Sequence, residues 1–139
     1  MIIGYTTGVY DLFHIGHLNI LNNAKAMCDK LIVGVSTDEL VQEHKHKKPV
    51  ISFSERAEIV RNIKCVDSVV AQETYDKEKM HSKLKFDVMI VGDDWHDTAK
   101  WQDVEKSFAK KGVRIVYFPY TTTTSSTIIN ETLIKLRNS

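Results

Sequence analysis

In the segment GVYDLFHIGHLNIL, residues 8–21, two histidines stand three positions apart with a glycine between them: His14, Gly16 and His17. A neutral imidazole presents one N–H donor, and two rings at this spacing near a helix start face the same point. A helix start also carries unpaired backbone N–H groups and the positive end of the helix dipole, which together favour a bound phosphate. Donors held there stabilise negative charge as it builds on phosphate oxygens in a transition state. Gly8 and Gly16 allow the backbone to approach such a ligand, and Asp11 adds a carboxylate. The competing chemistry is a zinc pair, for which Asp11 is the nearest third ligand and no thiol is at hand.

The elements around this segment must hold it at an edge of the fold. Ile2–Tyr5 reads as a strand. From Ile15 to Met27, Leu18, Leu21, Ala24 and Met27 recur at helical spacing. Leu31–Val35 is a continuous apolar run, as in a strand buried on both faces. Ser36-Thr37-Asp38 reads as a turn or helix cap, and Glu43–Pro49 as a charged loop. A helix starts at Ser54, with Ala57, Ile59, Val60 and Ile63 on its apolar side. Further strands at Asp67–Ala71, Asp87–Val91 and Val113–Phe118 alternate with helices at Lys77–Leu84 and Trp101–Lys110. Gly112 suits a left-handed cap, and Ser125 or Ser126 caps a last helix running to Arg137. Strand and helix alternating five times specify an α/β domain over residues 1–139, built on a five-stranded parallel sheet with right-handed crossovers. Ligands bind beyond the carboxyl ends of such strands. The polar segments Tyr5–His17, Ser36–Lys48, Gly92–Trp95 and Tyr120–Thr127 fall at those ends and make one site.

Composition narrows the partners. With 42% hydrophobic and 27% charged residues, the 139-residue chain has the make-up of an ordinary soluble domain. Its formal charge of +1 gives no electrostatic footprint for nucleic acid. No apolar run approaches a membrane span, and the N-terminal MIIGYTTGVYD lacks a basic start and a long apolar core. Cys28 and Cys65 are far apart in sequence and read as buried free thiols of a reducing compartment, the cytoplasm.

The chain resembles the HxGH nucleotidyltransferases over nearly its whole length, and within them the cytidylyltransferase branch. GVYDLFHIGHLNIL is similar to the family signature, with Tyr10 in place of its phenylalanine. VGVSTDEL, KHKKP, SERAEIVRNIKCVDSVV and VGDDWHD resemble the second strand and turn, the lysine loop, the Glu-Arg helix and the Gly-Asp-Asp-Trp turn. The resemblance implies a Rossmann-like, doubly wound fold and in-line attack of a substrate phosphate on the α-phosphate of a nucleoside triphosphate. Pyrophosphate leaves without a covalent intermediate, so the protein supplies position and charge stabilisation. The implied reaction moves CMP from CTP to a small phosphorylated alcohol, glycerol 3-phosphate from the Gly-Asp-Asp-Trp turn. CDP-glycerol is the product, for cell-wall or capsule polymer synthesis.

By the same resemblance His14, His17 and Lys47 are the catalytic residues. Gly8, Val9, Tyr10, Lys64, Gly92, Asp94, Ser125 and Ser126 join the two histidines in binding nucleotide. Asp11, Lys45, Lys47, Arg56, Asp67 and Trp95 hold the acceptor. Mg²⁺ is implied as cofactor, carried mainly by the triphosphate and not by side chains. A homodimer without membrane insertion is implied as well.

One segment departs from the family. Before the last helix the family reads Arg-Thr-Glu-Gly-Ile-Ser-Thr, whereas this chain reads Tyr120-Thr-Thr-Thr-Thr-Ser125-Ser126-Thr127. Tyr120 lacks the fixed charge and planar fork of arginine. Lys45, Lys47 or Arg56 would then have to supply the missing charge. The serine run also resembles adenylyltransferases of the same fold. An adenylyltransferase, a different phosphorylated acceptor, and a nucleotide-binding module without catalysis are the alternatives.

Overall fold

A computed structural model of the chain describes residues 1–92, 99–119 and 126–138. Five strands form one parallel sheet: β1 (Ile3–Gly8), β2 (Lys30–Ser36), β3 (Ser68–Gln72), β4 (Val88–Gly92) and β5 (Arg114–Phe118). The helices are α1 (Ile15–Ala26), α2 (Asp38–Lys45), α3 (Phe53–Arg61), α4 (Lys77–Leu84), α5 (Ala99–Lys110) and α6 (Ser126–Asn138). The strand order is β3-β2-β1-β4-β5. The chain therefore winds outward from β1 in one direction, then returns to the other side of β1 with β4. The reversal between β1 and β4 opens a crevice at their carboxyl ends.

Alternation along the strands divides the core into two layers. Leu31, Val33 and Val35 of β2, with Val88 and Ile90 of β4, pack against Leu21 and Ala24 of α1 and Val60 of α3. Tyr5, Ile32 and Met89 point the other way, to Met80 of α4 and to Trp101 and Phe108 of α5. The sheet is thus covered on both faces, and the buried run of β2 is the strand expected from its sequence.

The boundaries differ from the sequence reading at informative places. β1 continues three residues past Tyr5, because Thr6 and Thr7 suit a strand and the buried Thr6 hydroxyl donates to the Ile90 carbonyl at 2.9 Å. α2 was not anticipated as a separate helix. Thr37 caps it by accepting from the Leu40 N–H, Leu40 and Val41 bury its inner side, and it ends at His46 with φ 56°. The first residues of the charged run at Glu43–Pro49 are therefore its last turn, and Lys45 rides on a helix. Gly112 adopts the expected left-handed conformation, φ 77°. Cys28 and Cys65 are free but only partly buried, a correction to the expectation of fully buried thiols; burial still pushes both thiols up in pKa.

Candidate active site

A cavity of about 430 Å³ lies at the carboxyl ends of β1 and β4. Thr6, Thr7 and Gly8 of β1 and Val91 and Gly92 of β4 form its base, and His17 stands in its wall. Lys45, Lys47 and Lys48, from α2 and the loop after it, and Glu131 of α6 also line it.

The β1–α1 connection is built around the two histidines. His14 is the N-cap of α1, and its Nδ1 accepts from the Gly16 N–H at 3.0 Å. His17 Nδ1 accepts from the His14 N–H at 3.2 Å, which closes a reciprocal cap. The rings stack with centroids 4.0 Å apart. An Nδ1 that accepts from an amide carries no proton, so each neutral ring bears its hydrogen on Nε2. Burial lowers the pKa of His17 to about 4, with the neighbouring His14 adding to the effect and Asp11 opposing it. Burial also lowers that of His14. Both are neutral Nε2–H donors at pH 7. The Gly16 and His14 amides are engaged by the rings, so the helix start presents imidazole donors where open amides were expected. His17 lines the cavity, and the His14 ring stacks on it.

This arrangement makes stability depend on pH. Unfolded histidine takes its proton near pH 6.5, roughly the model-peptide value, whereas folded His17 takes it only near 4. Between those values the unfolded chain binds more protons, so stability is full above about pH 6.5 and falls as the pH drops toward 4. Urea midpoints of the wild type are expected to fall between pH 7 and 4.5 more than those of His17→Gln. Parallel curves for the two proteins would refute the assignment.

The loop is held in a strained conformation. Tyr10 and Leu12 have φ of 56° and 49°, left-handed values that cost a residue with a Cβ about 1–2 kcal/mol. The Tyr10 ring was expected to bind nucleotide. Tyr10 lines the cavity, and its ring is buried in the core layer and meets His17 edge-on, with centroids 5.4 Å apart. Gly8 makes room for it: a Cβ there would lie 2.9 Å from Tyr10 Cζ. The glycine therefore serves the tyrosine as well as any ligand.

Asp11 lines the cavity, but its oxygens accept from the Val50 and Ile51 N–H groups at 2.7 and 2.9 Å. It pins the lysine-bearing loop beside the histidine helix while lining the cavity, a positioning part for this carboxylate. Asp11→Asn replaces one acceptor oxygen with an NH₂ group facing an N–H donor. It is expected to raise the KM for substrates by about 10-fold, the order of one charge-assisted hydrogen bond, with a smaller change in kcat. An unchanged KM in steady-state assays would argue against the pin.

Three other expected ligands lie elsewhere. Arg56 is fully buried. Its guanidinium donates to the carbonyls of Ile51 (2.8 Å), Val9 (2.6 Å) and Ser36 (2.8 Å) and to Asp38 Oδ1 (2.6 Å). Burial tends to raise the Asp38 pKa, but the hydrogen bonds from Arg56 and the Phe53 N–H outweigh it, and the carboxyl falls below its usual value. Arg56 therefore fastens the loop at Val9 and does not reach a phosphate or replace the missing family arginine. Asp67 precedes β3, so it sits at the amino-end rim, opposite the cavity. There it accepts from Lys25 Nζ at 2.6 Å and the Leu31 N–H at 2.7 Å, and the Lys25 hydrogen bond is the main cause of its lowered pKa. Lys64 is exposed between α3 and β3 at the same rim, away from the cavity of its own chain. Asp94, Trp95, Tyr120 and Ser125 lie outside the described residues, as does the side chain of Ser126, whose backbone begins α6.

The cavity also contains residues the motifs did not mark. Lys48 is a third cation beside the expected Lys45 and Lys47, and its place after that pair was its only sequence signal. Ile20, Val41, Pro49 and Val50 add apolar wall, and Glu131 adds a carboxylate.

A doubly wound sheet with a cationic pocket and two imidazole donors at its switch point defines an α/β nucleotidyltransferase. The sequence matches the cytidylyltransferase-like family over residues 5–135, and the chain belongs to that family. It is 34% identical to the glycerol-3-phosphate cytidylyltransferase of Bacillus subtilis, across 94% of this chain and 96% of that one. It is 36% identical to an FAD synthase of Pyrococcus abyssi, across 81% and 77% of the two chains. Among solved structures, a lipopolysaccharide core biosynthesis protein from Thermoplasma volcanium superposes with a TM-score of 0.74 at 27% identity, covering 87% of this chain and 98% of that one.

Proposed function

We propose that the chain transfers CMP from CTP to a small phosphorylated alcohol, glycerol 3-phosphate, giving CDP-glycerol and pyrophosphate. The observation that carries this reading is the His17 ring. It is kept neutral and oriented with its N–H on Nε2, in the wall of a cavity lined by three lysines. A donor so placed stabilises charge developing at the attacked phosphate without any reorganisation of its own. Lys45, Lys47 and Lys48 neutralise the two phosphate-bearing substrates and bring them together for in-line displacement. The likeness to the Bacillus enzyme over nearly the full length of both chains supports the acceptor.

The proposal includes a magnesium ion that arrives with the triphosphate. Such an ion would neutralise phosphate charge. We extend the proposal to a cytoplasmic homodimer whose product feeds polymer or capsule synthesis.

Pyrophosphate release, measured with each nucleoside triphosphate against a panel of phosphorylated acceptors, tests the reading. Fastest turnover with CTP and glycerol 3-phosphate is expected. Turnover with ATP alone would replace it by an adenylyltransferase, the reaction class suggested by the FAD synthase relative. Nucleotide binding without turnover for any pair would leave a binding module.

A further inference from the structure

Near its carboxyl end β1 carries two threonines whose hydroxyls are used differently. Thr6 is buried, and its hydroxyl donates to the Ile90 carbonyl at 2.9 Å. Thr7 is the next residue along the strand, so its side chain leaves the opposite face of the sheet. It is half-buried at the base of the cavity. Its hydroxyl has no hydrogen-bond partner among the described residues and is not enclosed, so it opens on the cavity that Thr7 lines.

The direction of this hydroxyl is set by its neighbours. Gly34 of β2 stands beside Thr7 in the sheet register. A Cβ on Gly34 would lie 3.2 Å from Thr7 Cγ2 and closer still to the Tyr5 hydroxyl, so the threonine methyl and the phenol share the space the glycine leaves. A β-branched side chain is stiff at χ1, and with its methyl in that space its hydroxyl is turned to another side. The Tyr5 hydroxyl is itself buried without a hydrogen-bond partner among the described residues, a costly state for a polar group. One χ1 rotation would exchange the Thr7 methyl for its hydroxyl and turn a polar atom toward the Tyr5 oxygen. The fold instead presents the methyl there and keeps the hydroxyl on the cavity side.

We infer that Thr7 is a substrate-binding residue whose hydroxyl donates a hydrogen bond to an oxygen of a phosphorylated substrate seated in the cavity. The inference rests on the nucleotide reading above. A hydrogen bond from a hydroxyl to an ionised phosphate oxygen is charge-assisted and stronger than one between neutral groups. It adds a neutral donor to the lysine ammonium groups and the His17 ring in the same cavity. Because the side chain is already held in one rotamer, binding costs it little further order. Both substrates of the proposed reaction carry phosphate, and the experiment separates them.

The test compares the wild type with Thr7→Val and Thr7→Ser. Calorimetry reads the binding of CTP and ATP, steady-state kinetics reads the KM for glycerol 3-phosphate, and melting curves read the fold. Valine keeps the branched shape and the strand preference and removes the hydroxyl, whereas serine keeps the hydroxyl. In Thr7→Val one substrate is expected to bind about 10-fold more weakly, the order of one hydrogen bond to a charged group, with the melting curve little changed. Thr7→Ser is expected to recover most of that loss, which a packing role for the side chain would not produce. Weaker nucleotide binding places the hydroxyl on the nucleotide, a raised KM for glycerol 3-phosphate places it on the acceptor, and either result supports the inference. Thr7→Val with both affinities intact overturns it, as does a Thr7→Ser variant impaired as much as Thr7→Val. If the wild type binds neither CTP nor ATP, the nucleotide reading fails by itself, and binding of inorganic pyrophosphate to the same three proteins decides the role of Thr7 by the same criteria.

Discussion

Replacing His17 with alanine is expected to lower turnover by on the order of 10²-fold or more while the sheet stays folded. The ring does two things in the structure. Its Nδ1 accepts the His14 N–H, and its Nε2–H remains as a donor at the cavity wall. The first function concerns the helix start, where loss of a cap costs about 1 kcal/mol. The second concerns the reaction, where a donor placed for the transition state contributes to kcat more than to substrate affinity. Steady-state kinetics on His17→Ala should therefore show a collapsed kcat with a modest change in KM, beside a melting curve lowered by a few degrees. Near-normal turnover would remove the basis of the mechanism.

Arg56→Ala is expected to produce the largest loss of stability, roughly 3–5 kcal/mol, the range for breaking a buried charge pair. The substitution leaves the carbonyls of Val9, Ser36 and Ile51 without their shared donor and frees Asp38 from its partner. Asp38 is partly exposed, so water recovers some of the loss and the lower end of that range applies. Arg56→Lys should restore little, because one ammonium on a flexible stem cannot serve acceptors on separate segments as a planar fork does. Urea denaturation of both variants provides the measurement. A difference below 1 kcal/mol for Arg56→Ala, on the order of a surface change, would show that the guanidinium does not hold these segments together.

The sequence made some of this legible and not the rest, for physical reasons. Leu31–Val35 could only be a buried strand, and Gly112 marked its helix end, because each signal is local. The histidine segment was legible because spacing alone brings His14 and His17 together at a helix start. Arg56 was misread because its environment is assembled from Val9, Ser36 and Ile51, which only the fold brings together. Asp67 was misplaced for another reason: family likeness conveyed a residue type, while its position just before β3 already placed it at the amino-end rim. α2 escaped notice because eight residues with two buried side chains give too short a pattern. Glu131 lies beyond the motifs on α6, and nothing in its sequence neighbours signals a cavity.

The reciprocal cap at His14 and His17 has a bearing on how this site can change over time. The direction of both rings is encoded as the residue at which a helix begins. A start displaced by one position would take the His14 and Gly16 amides out of reach of the rings, which would then be free to turn with every catalytic side chain still present. A serine or aspartate at Phe13 would offer a rival starting point one residue early. Positions that never touch substrate are thus restricted by what they must not become.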